Sequence, residues 1–299
     1  MITPTDVTFA SSGMQLAAHL YTPESPADGP RPAIVIGHPM TGVKEQTSAV
    51  YASRLAEWGF ITLAFDAAYQ GASEGEPRAL EDPFQRAEDF RNAVTFLSTR
   101  TDVDPERIGV LGICASGGYA PYAAQTDHRM KAVATVSAAD ATLFFRVPDP
   151  EGFARLVAAS GAARTAEARG EAPRLVPVLP DRVDENTPAE TAEFVDYYKT
   201  PRGAHPRSIG AFLLRSADQL EQFDAFADVA KIAPRPLLMI AGSEAGTKGF
   251  SEGAVAAVGD SAELFVIDGA SHPALYDIEE YVAQAVARLG EFFTEHLGA

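Results

Sequence analysis

A cysteine and a histidine stand where predicted strands end, and their chemistry is that of acyl transfer. Cys114 lies in Gly-Ile-Cys-Ala-Ser-Gly-Gly (112–118), a glycine-flanked segment with the spacing Gly-x-nucleophile-x-small. His272 follows the last apolar run of the chain. A thiolate attacks carbonyl carbon, and an imidazole takes the thiol proton and later activates water or an alcohol. The pair therefore predicts a nucleophilic thiol with a histidine as its base.

The segment around Cys114 predicts a strand, a sharp turn and a helix. An apolar run over 108–113 ends in small residues, and a helical pattern follows. Ser116 is a rival nucleophile, because small residues also stand two positions to either side of it. Cys114 is favoured because the strand delivers Ile113 directly into the turn. The plain alternative is a cysteine that serves as a small buried apolar residue.

The residues that would assist the thiol are expected at the same edge of the sheet. Glu244 is the first carboxylate after the apolar run 237–241 and is the predicted acid partner of the histidine. Asp140, which ends the preceding strand, is the reserve, with a helix N-cap as its alternative role.

An oxyanion hole needs two backbone N–H groups. We expect one from Ala115 and the other from Met40, because Pro39 has none. His38 is expected to shape this turn rather than transfer a proton. The predicted substrate pocket is lined by His38, Phe144, Tyr197 and Tyr198.

Composition limits the class of protein. The chain has 299 residues, 24 basic and 41 acidic, with a net charge of −17. This charge disfavours nucleic acid or an anionic membrane as partner. A single cysteine forbids an internal disulfide, and neither a signal peptide nor a membrane span is evident, so we expect a cytoplasmic enzyme. No histidine pair has metal-ligand spacing and no phosphate loop is present, so we expect no metal and no cofactor.

The order of apolar runs predicts the architecture. Strands and helices alternate up to residue 140 and again after 231, which predicts an α/β fold with a mostly parallel, doubly wound sheet. Ligands bind at the carboxyl ends of such strands. Residues 141–231 show no clear buried strand and three helical stretches, 151–168, 188–199 and 207–220. We therefore expect a core formed by 1–140 and 232–299 and a helical lid formed by 141–231.

Taken together, these residues resemble the α/β-hydrolase superfamily. The cysteine elbow is similar to that of dienelactone hydrolase, and a closer likeness is to polyketide transferase-like α/β-hydrolases, which include thiohydrolases and acyl transferases. Four segments carry that likeness: 38–46, 112–118, 196–203 and 269–277. The resemblance implies the nucleophile–acid–histidine order of that fold, and hence Cys114, Glu244 and His272 as a triad.

The resemblance implies an acyl hydrolase or acyl transferase acting on a thioester, ester or lactone, with polyketide metabolism as its setting. A small-molecule acyl substrate, linked to a carrier or coenzyme A, is the expected partner, and a homodimer is left open. Two other functions stay open: a catalytically silent ligand-binding protein, and a lyase or cyclase that uses His272 as base.

Overall fold

An eight-stranded sheet forms the centre of the molecule. The structure is a computed structural model that describes residues 2–25 and 29–298. Eight strands belong to this sheet: β1 Thr5–Ser11, β2 Met14–Tyr21, β3 Arg31–Gly37, β4 Ile61–Phe65, β5 Val103–Ile113, β6 Met130–Val136, β9 Leu237–Gly242 and β10 Ala262–Ile267. Their order is β1-β2-β4-β3-β5-β6-β9-β10. The strands β1 and β2 form an antiparallel hairpin, and from β4 to β10 every pair is parallel.

Helices cover both faces of this sheet. The helices are α1 Thr47–Glu57, α2 Pro83–Ser98, α3 Ser116–Ala124, α4 Ala141–Arg146, α5 Pro150–Ala168, α6 Ala189–Lys199, α7 Ala217–Glu221, α8 Lys248–Val258, α9 Ala274–Asp277 and α10 Glu279–Leu297. Successive residues of β3 point to opposite faces: Val35 packs in the core beneath α2 and α3, and Ile34 in the core beneath α1 and α10. This is the mostly parallel, doubly wound sheet that the alternation predicted, and the α/β-hydrolase fold that the resemblance implies.

The segment 141–231, called the inserted segment below, differs in part from its prediction. Helices α5 and α6 fall where two helical stretches were expected. The third predicted helix, 207–220, is wrong. Its place is taken by β8 Ala211–Leu213, a 3₁₀ turn and α7, and β8 pairs with β7 Leu175–Pro177. The strand β8 is buried, so the expectation of no buried strand in this segment is also wrong.

None of the helices in the described part of the chain combines the length and apolar character needed to cross a membrane.

Candidate active site

Cys114 stands at a strained corner between β5 and α3. Its φ is +55°, a left-handed conformation that costs energy for any residue other than glycine. The corner is tight: a Cβ at Gly112 would lie 2.0 Å from the carbonyl oxygen of Ser116. The backbone of Cys114 is tied to the sheet by its N–H, which donates to the carbonyl of Val136 at 3.0 Å. The strand, turn and helix predicted around the cysteine are therefore present.

The sulfur of Cys114 rests against the predicted oxyanion donors. The N–H groups of Ala115 and Met40 and the hydroxyl of Tyr276 lie within hydrogen-bonding range of it. Burial raises the pKa of the thiol, and these three contacts oppose that rise only in part. The free enzyme accordingly holds a neutral thiol whose sulfur occupies the position where a carbonyl oxygen would be stabilised.

His272 lies in the loop between β10 and α9, and its side chain is fully buried. Its Nδ1 is 2.6 Å from Oγ1 of Thr247, and its Nε2 is 2.9 Å from the hydroxyl oxygen of Tyr276. Burial lowers the pKa of His272 to about 3, so the imidazole is neutral near pH 7. The direct contact expected between the histidine and the thiol is replaced by a contact through Tyr276.

Neither predicted carboxylate reaches the imidazole. Glu244 is exposed and its carboxylate contacts the hydroxyl of Ser243. The prediction that it partners His272 is wrong because the loop turns its side chain to the surface, and the position next to Nδ1 belongs to Thr247. Asp140 is the N-cap of α4, the alternative role expected for it. Its carboxylate accepts two N–H groups in the first turn of that helix and also the N–H of Ala225.

Ser116 is not placed as a nucleophile. Its hydroxyl donates to the carbonyl oxygen of His38 at 2.6 Å, and the side chain is 1% exposed. This bond joins the first turn of α3 to the loop that carries Met40. The reserve nucleophile therefore has a structural contact, and the sulfur alone faces the cavity beside the corner.

A small apolar cavity of about 40 Å³ opens onto the sulfur. Of the predicted pocket residues, Phe144 and Tyr198 line it. The prediction fails for His38, which is fully buried, and for Tyr197, whose ring packs against Tyr276 and beneath the guanidinium of Arg202. The complete lining is Met40, Thr41, Cys114, Ala115, Ala139, Ala141, Phe144, Phe145, Val178, Leu179, Phe194, Tyr198 and Tyr276.

A larger groove of about 940 Å³ lies outside this cavity. Five residues line both spaces and so form a wall between them, called the partition below: Phe144, Phe145, Val178, Leu179 and Phe194. All five belong to the inserted segment. The cavity has room for only about three water molecules.

His38 shapes the turn after β3, as expected. Its Nε2 accepts the N–H of Ala67 at 3.1 Å and its Nδ1 is 2.6 Å from the carbonyl of Pro39, which fixes a neutral tautomer. Burial lowers the pKa of His38 well below its usual value. Arg86 of α2 donates to the carbonyl of His38 at 3.0 Å and forms a buried ion pair with Glu81. The loop that presents Met40 is thus held from α2.

Helix α6 of the inserted segment holds the histidine loop. Glu190 accepts the N–H groups of Gly246 and His272, and Glu193 accepts the hydroxyl of Ser271. The ring of Phe194 lies 5.1 Å from the imidazole, measured between ring centres. The inserted segment therefore builds part of the site instead of only covering it.

All four segments that carried the family likeness meet at this place, and the hydroxyl of Ser116 joins 112–118 to 38–46. The amide of Gln46 donates to the carbonyl of Gly203 at 2.7 Å, and Arg202 binds Asp277 through two nitrogens at 2.8 and 2.9 Å. Thr247, Tyr276 and the hydroxyl of Tyr198 were not assigned roles from the sequence. The signal for Tyr276 was its position four residues after His272, one helical turn away.

No group of three or more His, Cys, Asp or Glu side chains within residues 2–25 and 29–298 is arranged to hold a metal ion.

Comparisons with known proteins identify the superfamily of the chain. Residues 16–139 match the Dienelactone hydrolase family. The uncharacterized protein YcjY of Escherichia coli (strain K12) is 39% identical over 272 residues, which are 89% of this chain and 89% of that protein. The thiohydrolase aneE of Aspergillus aculeatus is 36% identical over 56% of this chain and 52% of its own length.

A solved structure extends the likeness to three dimensions. The crystal structure of hypothetical protein PA2218 from Pseudomonas aeruginosa superposes with a TM-score of 0.91 at 38% identity, covering 99% of this chain and 94% of that one.

Proposed function

Because the chain belongs to the α/β-hydrolase superfamily of enzymes, we propose that it is an acyl hydrolase or acyl transferase that forms an acyl-cysteine at Cys114. The observation that carries the proposal is the placement of the sulfur at the corner before α3, against the N–H groups of Ala115 and Met40. Such paired donors stabilise the oxygen of a tetrahedral intermediate.

The reaction begins when the substrate carbonyl displaces the sulfur from these donors. The thiol loses its proton toward His272 and the sulfur attacks the carbonyl carbon, while the carbonyl oxygen takes the N–H groups of Ala115 and Met40. Collapse of the intermediate expels the leaving group, which takes the proton from His272, and leaves an acyl-cysteine and a neutral imidazole. Water or an alcohol, deprotonated by the imidazole, then releases the acyl group and restores the thiol.

The state of His272 supports a substrate with a good leaving group. Its pKa of about 3 makes the imidazole a weak base, and the neutral Thr247 hydroxyl beside Nδ1 stabilises an imidazolium less than a carboxylate would. Thioesters and activated esters release thiolates or stabilised oxyanions that need little protonation. We therefore infer that a thioester, carrier- or coenzyme A-linked, is the preferred class, and the thiohydrolase relative supports this choice.

The apolar partition and groove support an acyl chain rather than a polar group as the part that enters. On this proposal residues 141–231 act as a lid over the core formed by 1–140 and 232–299. Transfer to an alcohol in polyketide metabolism, a cytoplasmic location and a homodimer stay proposals of the same kind.

The proposal is tested by intact-protein mass spectrometry with S-hexanoyl-N-acetylcysteamine. We expect an adduct of one hexanoyl group on Cys114, abolished in Cys114→Ala together with thiol release. The matched variant Ser116→Ala should still form the adduct at Cys114. Full turnover by Cys114→Ala would overturn the proposal and would favour a lyase or cyclase that uses His272 alone. Added hexanol separates hydrolysis from transfer through the products.

A further inference from the structure

The hydroxyl of Tyr276 stands between the two groups that must exchange a proton. Its oxygen is 2.9 Å from Nε2 of His272 and within hydrogen-bonding range of Cys114 Sγ, and it also contacts the hydroxyl of Tyr198. Tyr276 is fully buried, and its ring is held by Phe194 and Tyr197, whose ring centres lie 6.3 and 5.1 Å away. The hydroxyl is therefore fixed in place and shielded from bulk water.

The hydrogen-bonding capacity of a phenol matches these neighbours. A phenol hydroxyl donates one hydrogen bond and accepts others. In the tautomer that carries its proton on Nδ1, His272 donates to Thr247 and Nε2 is an acceptor. The relay uses this tautomer, in which the single proton of Tyr276 points to Nε2. The oxygen can then accept the S–H of Cys114 and the O–H of Tyr198. A continuous hydrogen-bonded path then runs from the S–H of Cys114 through the O–H of Tyr276 to Nε2 of His272.

We propose that Tyr276 is a catalytic residue that relays the thiol proton of Cys114 to Nε2 of His272. The inference rests on the proposed function of the same site. In the step, the S–H bond breaks and its proton bonds to the phenol oxygen, while the phenol O–H proton bonds to Nε2. The sulfur bonds to the carbonyl carbon as its electron pair is freed, and the phenol is neutral before and after.

The surroundings of Tyr276 favour a concerted relay over a stored phenoxide. Burial and the nearby thiol raise the pKa of Tyr276 well above that of an ordinary phenol, so the hydroxyl keeps a proton throughout the pH range of activity. The hydroxyl of Tyr198 contacts the same oxygen and, as a donor to it, limits the charge that builds there during transfer. Tyr276 thus passes a proton on without ionising.

Alkylation of Cys114 by iodoacetamide tests the relay without any substrate. We expect the wild-type second-order rate constant to be nearly independent of pH between 5.5 and 8, because the relay removes the proton during attack. Tyr276→Phe should be about 10²–10⁴-fold slower at pH 6. Its rate should rise tenfold per pH unit, as for a thiol that reacts only after ionising. The matched variant Tyr197→Phe removes a buried hydroxyl from the neighbouring ring and should keep the wild-type pH profile.

Solvent isotope effects distinguish proton relay from a purely structural role of Tyr276, because a structural role would not change the number of protons transferred. In mixtures of H₂O and D₂O the wild-type rate should depend on two transferred protons, and the Tyr276→Phe rate on none. Should Tyr276→Phe prove unstable, 3,5-difluorotyrosine at position 276 keeps the ring and hydroxyl. This variant should keep the two-proton dependence.

Unchanged pH dependence and isotope response in Tyr276→Phe would overturn the relay. Faster alkylation of this variant would also overturn it, because the hydroxyl would then hinder the reaction of the sulfur. Either result leaves the acyl-cysteine test untouched. Conversely, absence of an acyl adduct in the wild type, with this alkylation behaviour intact, would remove the proposed function alone.

Discussion

Thr247 occupies the place beside His272 where the sequence led us to expect a carboxylate. A hydroxyl orients the imidazole through a hydrogen bond but supplies no charge to an imidazolium. The thiol and imidazole are consequently both neutral at rest, with pKa values displaced by burial in opposite directions. Ionisation is deferred to the moment of attack, when the substrate carbonyl has arrived.

Removing the Thr247 hydroxyl should lower the catalytic efficiency by an amount that corresponds to the free energy of one hydrogen bond. Thr247→Val keeps the shape of the side chain but releases Nδ1, and we expect kcat/KM for a thioester to fall by roughly tenfold, equivalent to about 1.4 kcal/mol. Steady-state kinetics measure this. Ser243→Ala, in the same loop but beside Glu244, is the control, and an equal loss there would point to loop disruption instead.

At the scale of elements, helix α2 holds the loop that carries one oxyanion donor. Arg86 donates to the carbonyl of His38, lies 3.3 Å from a carboxylate oxygen of Glu81 and stacks over Tyr119 at 5.1 Å. Arg86 and Glu81 are 3% and 0% exposed, so neither charge can turn to water when the other is removed.

Removing one partner of this buried ion pair should therefore lower the free energy of unfolding more than removing both partners. We expect Arg86→Leu to lower the free energy of unfolding by about 3–5 kcal/mol, because it leaves Glu81 buried and unpaired. The double variant Glu81→Gln with Arg86→Leu should recover part of that loss. Urea titrations followed by circular dichroism measure both, and an exposed pair, Lys131 and Glu106, gives the control. Equal losses in the single and double variants would contradict the argument.

The partition also depends on whole helices, because α4 and α6 contribute three of its five side chains. Phe144→Ala should open the cavity toward the outer groove. We expect the ratio of kcat/KM for dodecanoyl over butanoyl p-nitrophenyl esters to rise by at least fivefold. Phe84→Ala, at an exposed ring on α2, should leave the ratio unchanged. A ratio that does not move in Phe144→Ala would place the acyl chain elsewhere.

The sequence predicted those parts of the molecule that depend on local pattern. Strands of five or more residues, the corner at Cys114 and the position of His272 follow from apolar runs and small residues. The three-residue strands β7 and β8 are too short for their alternation to be read. Thr247 and Tyr276 gain their roles only when the histidine loop packs under α6, a contact between distant parts of the chain that no local pattern records.

At the scale of the whole molecule, two buried neutral histidines make stability depend on pH. The pKa values of His38 and His272 are lowered in the folded state, so the unfolded chain binds more protons below its histidine pKa of about 6.5. Their contribution to stability is complete above that pH. It is lost progressively as the pH falls from 6.5 toward about 3 for His272.

Replacing one of them should reduce this acid sensitivity. Between pH 6 and pH 4 we expect the free energy of unfolding of the wild type to fall about 1.4 kcal/mol per pH unit more steeply than that of His272→Gln. Urea midpoints at several pH values measure the slopes. His128→Gln removes an exposed histidine and should follow the wild type. Parallel slopes for His272→Gln would show that the imidazole is not desolvated.

The partition between the inner cavity and the outer groove also bears on the rate of turnover. On the proposed function an acyl chain would have to pass this wall, so its opening would set an upper limit on turnover in addition to bond-making. The same opening admits solvent. A short acyl group leaves a vacancy beside the thioester bond in which a water molecule is trapped, whereas a long one fills the space and survives until a larger acceptor arrives. Chain length would then decide between the two fates of the intermediate.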